Sequence, residues 1–149
     1  MTGLNHAITG ATVAAAINRP LLSLPAALLS HFVVDIIPHW NYKVPGGAQA
    51  RIKVMVVDLC LSLGLLLILA MTVDAKPWLI FAGGLVAISP DIMWLEYFLT
   101  GRPAMKGNPK RLINRVRKFH LWIQWSETSW GIYTEALWFI LMLWLIYQV

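Results

Sequence analysis

At 149 residues, 58% hydrophobic and only 13% charged, the chain carries more apolar surface than so short a water-soluble domain can enclose. Its formal net charge of +5 sits between apolar runs rather than in one patch, which argues against a specific nucleic-acid surface. Cys60 is the only cysteine, so an intrachain disulfide and a thiolate metal cluster are both excluded.

A single domain spanning residues 1–149 is expected, with five apolar stretches in chain order. Met1 to Asn5 carries no basic residue and no cleavage-like sequence follows, so no secretory leader is expected. Leu4 to Ile17 would reach only about 21 Å as a helix, so it crosses a bilayer incompletely, tilts, or lies among the others. Its Gly10 and Ala14 permit close helix contact. Pro20 opens the second stretch and Pro38 kinks or stops it. Val54 to Val73 is broken only by Asp58, Pro77 to Leu99 embeds Asp91 and Glu96, and Ser129 to Val149 embeds Glu135.

The pattern predicts an all-α, polytopic transmembrane bundle of four long helices plus one short N-terminal helix. Ten of the twelve basic residues, from Lys43, Arg51 and Lys53 to the segment Arg102–Lys118, fall in two loops on one side. By the positive-inside rule those loops are cytoplasmic and the C-terminus is periplasmic, in a multi-pass inner-membrane protein. Between them, Pro109 to Trp125 reads as an amphipathic surface helix with Leu112, Val116, Phe119 and Ile123 on its apolar face. A solvated basic loop is the plainer alternative. Arg111, Arg115 and Lys118 are the candidate contacts to anionic headgroups of membrane lipids.

Ionisable groups within apolar runs cost about 2.5–3.5 kcal/mol each on insertion scales, so each asks for a partner. His31 and Asp35 are four apart on one helical face, and Asp91, Asp58 and His6 fall at a similar depth. Imidazoles and carboxylates gathered in this way are the ligand set of a divalent metal, with zinc the leading choice. His6, His31, Asp35 and Asp91 are the candidate ligands. Asp58 is the candidate catalytic group, orienting a histidine or accepting a proton from metal-bound water. His39 and His120 are candidates for either direct ligation or support of the ligands. Each residue has a plainer role: an intrahelical pair for His31 and Asp35, a helix-start cap for Asp91, pairing with Lys53 for Asp58, and a frayed-end position for His6. His39 and His120 equally suit an interface.

The opening Asn5-His6-Ala7-Ile8-Thr9-Gly10, His31 with Asp35, and the pair Pro90-Asp91 together resemble the predicted membrane-bound metal-dependent hydrolases known as domain of unknown function 457. His6 and Gly10 match that family's histidine with a glycine four residues later. Its Pro-Asp-X-Asp element is matched in part, because Met93 stands in place of the second acid, which bears against a two-metal arrangement. Asp35-Ile36-Ile37-Pro38-His39 is similar to another family string in a different order. The resemblance implies a small inner-membrane helical protein and a metal-dependent hydrolase.

The leading functional expectation is therefore hydrolysis of an amphipathic, phosphate-containing ester at the cytoplasmic leaflet. The alternative is a structural or partner-binding membrane protein whose polar cluster fixes helix packing. A transporter is disfavoured by the one-sided placement of the polar groups.

Overall fold

The computed structural model describes residues 1–40, 44–94 and 112–149, and six α-helices are found among them. They are α1 (Gly3–Ile17), α2 (Pro20–Asp35), α3 (Gly47–Thr72), α4 (Pro77–Ile88), α5 (Leu112–Ile123) and α6 (Gly131–Ile146). Tighter 3-10 turns follow α4 at Ser89–Trp94 and α5 at Gln124–Ser126.

Prolines open α2 and α4, where a missing N–H costs nothing because the first-turn donors have no intrahelical partner. Asn18 ends α1 in the left-handed region at φ 51°, returning its N–H to the Ala14 carbonyl before Pro20 starts the next helix. The shortest apolar stretch in the sequence thus becomes the central helix. α1 contacts α2, α3, α4 and α6 and is buried along most of its length.

Small residues make that central position accessible. A Cβ built at Gly10 would collide with Ala87 and the Gly83 carbonyl, and one at Gly83 would collide with Ala14, so α1 and α4 cross backbone to backbone. Ala7, Ile8 and Ala11 then meet Leu66, Leu69, Ile80, Met142 and Ile146 in one apolar core. The start of α1 is held by carboxylates from two other helices. Asp58 on α3 accepts the Gly3 and Leu4 N–H groups at 2.7 and 3.1 Å, and Glu135 on α6 accepts the Thr2 N–H at 3.1 Å. These acids satisfy first-turn donors and sit at the positive end of the helix dipole.

The expected bundle of four long transmembrane helices is corrected. Among the described residues, one helix segment, Gln49–Thr72 within α3, is long and apolar enough to cross a membrane, and only 17% of its most apolar window is buried. Pro20–Asp35, Pro77–Met93 and Gly131–Ile146 are shorter apolar helices. A helix of 16 residues, the length of α2 and of α6, reaches about 24 Å against a hydrocarbon core of about 30 Å.

The apolar runs in the sequence continue past the points at which these helices stop. α2 ends at Asp35, before Pro38, and α4 ends at Ile88, before Ser89 and Pro90. The expected multi-pass inner-membrane topology with a periplasmic C-terminus falls with the helix count. Lys43, Glu96, Arg102, Lys106, Lys110 and Arg111 lie outside the described residues. The four apolar positions expected on one face of α5 separate: Ile123 is buried and Val116 half-buried, whereas Leu112 and Phe119 are exposed.

Candidate metal centre

Four segments converge on one point. α1 contributes His6, the last turns of α2 contribute His31 and Asp35, the 3-10 turn after α4 contributes Asp91, and α5 contributes His120. His31 and Asp35 meet because residues four apart share a helical face, with Nε2 3.4 Å from Asp35 Oδ2. His120 Nε2 lies 2.7 Å from Asp35 Oδ2 and 3.9 Å from Asp91 Oδ1. His6 Nε2 is 3.1 Å from Asp35 Oδ1, and His31 Nε2 is 3.8 Å from Asp91 Oδ1. The Met1 amino group also contacts Asp35.

Two overlapping ligand sets result, His6 with His31 and Asp91, and His31 with Asp35 and His120, each with its donor atoms within 4.8 Å of one another. Their geometry identifies the free electron pair of the shared residue. His31 Nδ1 lies 2.7 Å from the Ala87 carbonyl, which can only accept, so Nδ1 carries the hydrogen and Nε2 presents a lone pair to the cluster. A backbone carbonyl bonded to the far nitrogen of a histidine is the usual way in which metal-ligating imidazoles are oriented.

His6 stacks on His31 with ring centroids 3.9 Å apart and planes 22° apart. It is 1% exposed, and neither of its ring nitrogens has a hydrogen-bond partner of good geometry, although Nε2 is within ion-pair distance of Asp35. A buried polar group left in that condition costs about 1–3 kcal/mol, which a cation at the convergence point would offset.

The protonation states suit such a cation. Burial, followed by the neighbouring His6, depresses the His31 imidazole from 6.5 to about 2, so it is neutral near pH 7. Burial opposes ionisation of Asp35, yet its interactions with the neighbouring His6 and the His120 hydrogen bond outweigh it and hold this carboxyl below the ordinary carboxylate range. A neutral imidazole beside an ionised carboxylate is the state that coordination requires. Burial, aided by the Asp35 charge, pushes Asp91 up. Asp91 is also the member of the cluster that reaches solvent, its side chain being 27% exposed while those of His6, His31, Asp35 and His120 are fully enclosed.

The remaining sequence candidates are placed elsewhere. Asp58 caps α1 and stands outside both ligand sets. His39 is buried, with Nδ1 directed at the Ile37 carbonyl at 2.8 Å, and its own carbonyl accepts the Thr128 N–H at 2.9 Å. Burial and the Met1 amine lower its pKa. Its role is in the chain crossing that joins the end of α2 to the start of α6, where a Cβ on Gly131 would strike the His39 backbone. Arg115 and Lys118 are on the exposed side of α5.

Four supports had little or no signal in the sequence. Gln124 Nε2 approaches His120 Nε2 at 3.2 Å, a neighbour that the four-residue spacing allows but does not single out. Ser126 Oγ donates to the Asp35 and Ile37 carbonyls at 3.2 and 3.1 Å, and Arg117 donates to the Met93 carbonyl at 2.8 Å, so α5 is tied to two sides of the cluster. The Ala87 carbonyl that orients His31 is a backbone atom and leaves no residue-type signature.

Three imidazoles and two carboxylates can hold a divalent cation and join four segments through it. No family model matches the chain, and no curated protein or solved structure matches it either.

Proposed function

We infer that this chain binds one divalent metal ion, and that the ion's main work is to lock α1, α2, α5 and the turn after α4 together. The observation that carries this reading is the His31 imidazole, whose Nδ1 is committed to Ala87 while Nε2 faces His120 at 3.1 Å and both aspartates. Each Nε2 offers a single lone pair, so the two ligand sets share His31 by drawing on one ion rather than two. Five candidate donors exceed the three that a catalytic zinc keeps beside its water, which favours a closed, structural site. Zinc is the proposed ion, because mixed imidazole and carboxylate donors suit it.

Metal analysis of the purified chain and of His31→Ala tests this directly. About one equivalent in the parent and none in a folded variant is the expected result. A folded parent that carries no metal and takes up none on addition of zinc would refute it.

Hydrolysis is the second reading, favoured by the partial exposure of Asp91. An ion held by His6, His31, Asp35 and His120, with Asp91 at the solvent-reaching side, would supply Lewis-acid activation of water for ester hydrolysis. The resemblance of the His6, Gly10 and Pro90-Asp91 elements to metal-dependent hydrolases points toward a phosphate-containing amphiphile. Release of nitrophenol from a nitrophenyl phosphodiester by zinc-loaded protein, lost in His31→Ala, would support it; turnover unchanged in that variant would remove it.

A further inference from the structure

α5 has two faces with different occupants. The inner face carries His120 into the cluster and Ile123 into the interior, both essentially without exposure. At 100° per residue, Leu112, Arg115, Lys118, Phe119 and Trp122 fall within an outer arc of roughly 120°. Leu112 is 76% exposed, Trp122 is 72% exposed, and Trp125 in the following 3-10 turn is 74% exposed. Large aromatic side chains rarely stand this far out of a folded chain without a partner.

We propose that this outer arc is a docking surface for anionic phospholipid, which seats α5 in the headgroup layer while its other side holds the metal cluster. The chemistry of the arc selects the partner. Arg115 and Lys118 lie among the apolar side chains, so the surface presents cations at the level where tryptophan rings enter, as headgroup-level helices do. An acidic protein groove would match the charge, but the apolar content extends well beyond this helix. Gln49–Thr72 is long enough to enter a bilayer and is mostly unburied, and Leu21, Leu29 and Val33 on α2 are exposed as well. Phe119 connects the arc to α2 by its ring contact with Phe32, centroids 5.5 Å apart. The docking surface stands independently of the metal reading, since neither the five arc residues nor Trp125 belong to the ligand sets.

Spin labels placed one at a time in the full-length chain test this. Cys60→Ser gives a background without native thiol, and Trp122→Cys and Leu112→Cys report the arc, with Asp74→Cys in the α3–α4 turn as the solvent reference. The protein is reconstituted in vesicles of phosphatidylcholine alone or mixed with phosphatidylglycerol, and collisions with oxygen and with a water-soluble nickel chelate are compared. Both arc labels are expected to favour oxygen over nickel in the mixed vesicles, and less so in phosphatidylcholine. The Arg115→Ala/Lys118→Ala double variant should lower the docked-to-undocked ratio roughly 30-fold, at about 1 kcal/mol for each basic residue.

Arc labels that remain as nickel-accessible as Asp74→Cys in mixed vesicles would overturn the proposal. So would protection that is independent of phosphatidylglycerol and accompanied by label–label broadening, because the occupant would then be a second copy of the chain. Bound metal measured on the same samples keeps the two readings apart: a parent chain that holds metal but fails to dock rejects the lipid surface alone.

Discussion

His31 and His120 meet nitrogen to nitrogen, Nε2 to Nε2, at 3.1 Å. Since Ala87 fixes the hydrogen of His31 on Nδ1, this approach is attractive only if a proton or a cation lies on the His120 side of it. Zinc should therefore stabilise the fold. At a free concentration a hundredfold above Kd, linkage gives about 2.7 kcal/mol, a rise in Tm of roughly 5–10 °C for a chain of this size. Melts with zinc and with chelator should differ by that amount in the parent and not at all in His31→Ala.

His120→Ala should remove metal and also loosen α5, because the helix would lose its bond to Asp35 while retaining Arg117 to Met93 and Ser126 to the end of α2. Limited proteolysis should cut within Leu112–Ile123 earlier than in the parent. Arg115→Ala, outside the cluster, should keep both metal and resistance.

The site was more legible in the sequence than the fold, and the reason is periodicity. His31 and Asp35 can be paired from their spacing alone, and the Pro90-Asp91 element marks a carboxylate at a helix end, so these residues needed only the rule that positions four apart share a face. Helix lengths were not legible, because hydrophobicity continues through Pro38 and Pro90 although the backbone turns before them. The stretch least like a membrane span, Leu4–Ile17, became the central helix because glycine and alanine let α4 approach it, a property that hydropathy does not measure. Asp58 could be recognised as a carboxylate needing partners, but its partners are the backbone donors of Gly3 and Leu4, which carry no side-chain signature.

Gly10→Leu tests that central crossing. The added side chain would have to displace Ala87 and the Gly83 backbone, and overpacking of this kind costs typically about 1–3 kcal/mol, with more expected where backbone must move. A lowered Tm with metal stoichiometry preserved is expected near the lower end of that range, and failure to fold near the upper end. Gly64→Leu, where an added Cβ meets nothing within 4 Å, should be close to neutral.

Glu135→Ala should cost about 2–3 kcal/mol, because the Thr2 N–H, the Asn5 amide and the Trp40 N–H all lose a charged acceptor. Metal should be retained, since Glu135 belongs to neither ligand set. Chemical denaturation and metal analysis on one preparation would separate this packing role from ligation.

Acid should destabilise the metal-free protein. The folded pKa of His31 lies below the ordinary histidine value of 6.5, so the unfolded chain binds the proton first and stability falls as pH drops below about 6.5. The loss approaches about 1.4 kcal/mol per pH unit for a fully neutral buried histidine and continues toward the folded value of about 2. Asp35, held below its ordinary range, adds to the loss once its unfolded form protonates, whereas the raised Asp91 opposes it near its own titration. Denaturant midpoints measured across this range with chelator present should decline toward acid, and a midpoint rising toward acid would contradict the buried neutral state of His31.

The metal site is tested most sharply by the metal content of the folded chain after mild purification, measured beside His31→Ala and Arg115→Ala. About one divalent ion per chain is expected in the parent and in Arg115→Ala, and none in folded His31→Ala. A well-folded parent without metal, unable to take up zinc when it is supplied, would contradict it.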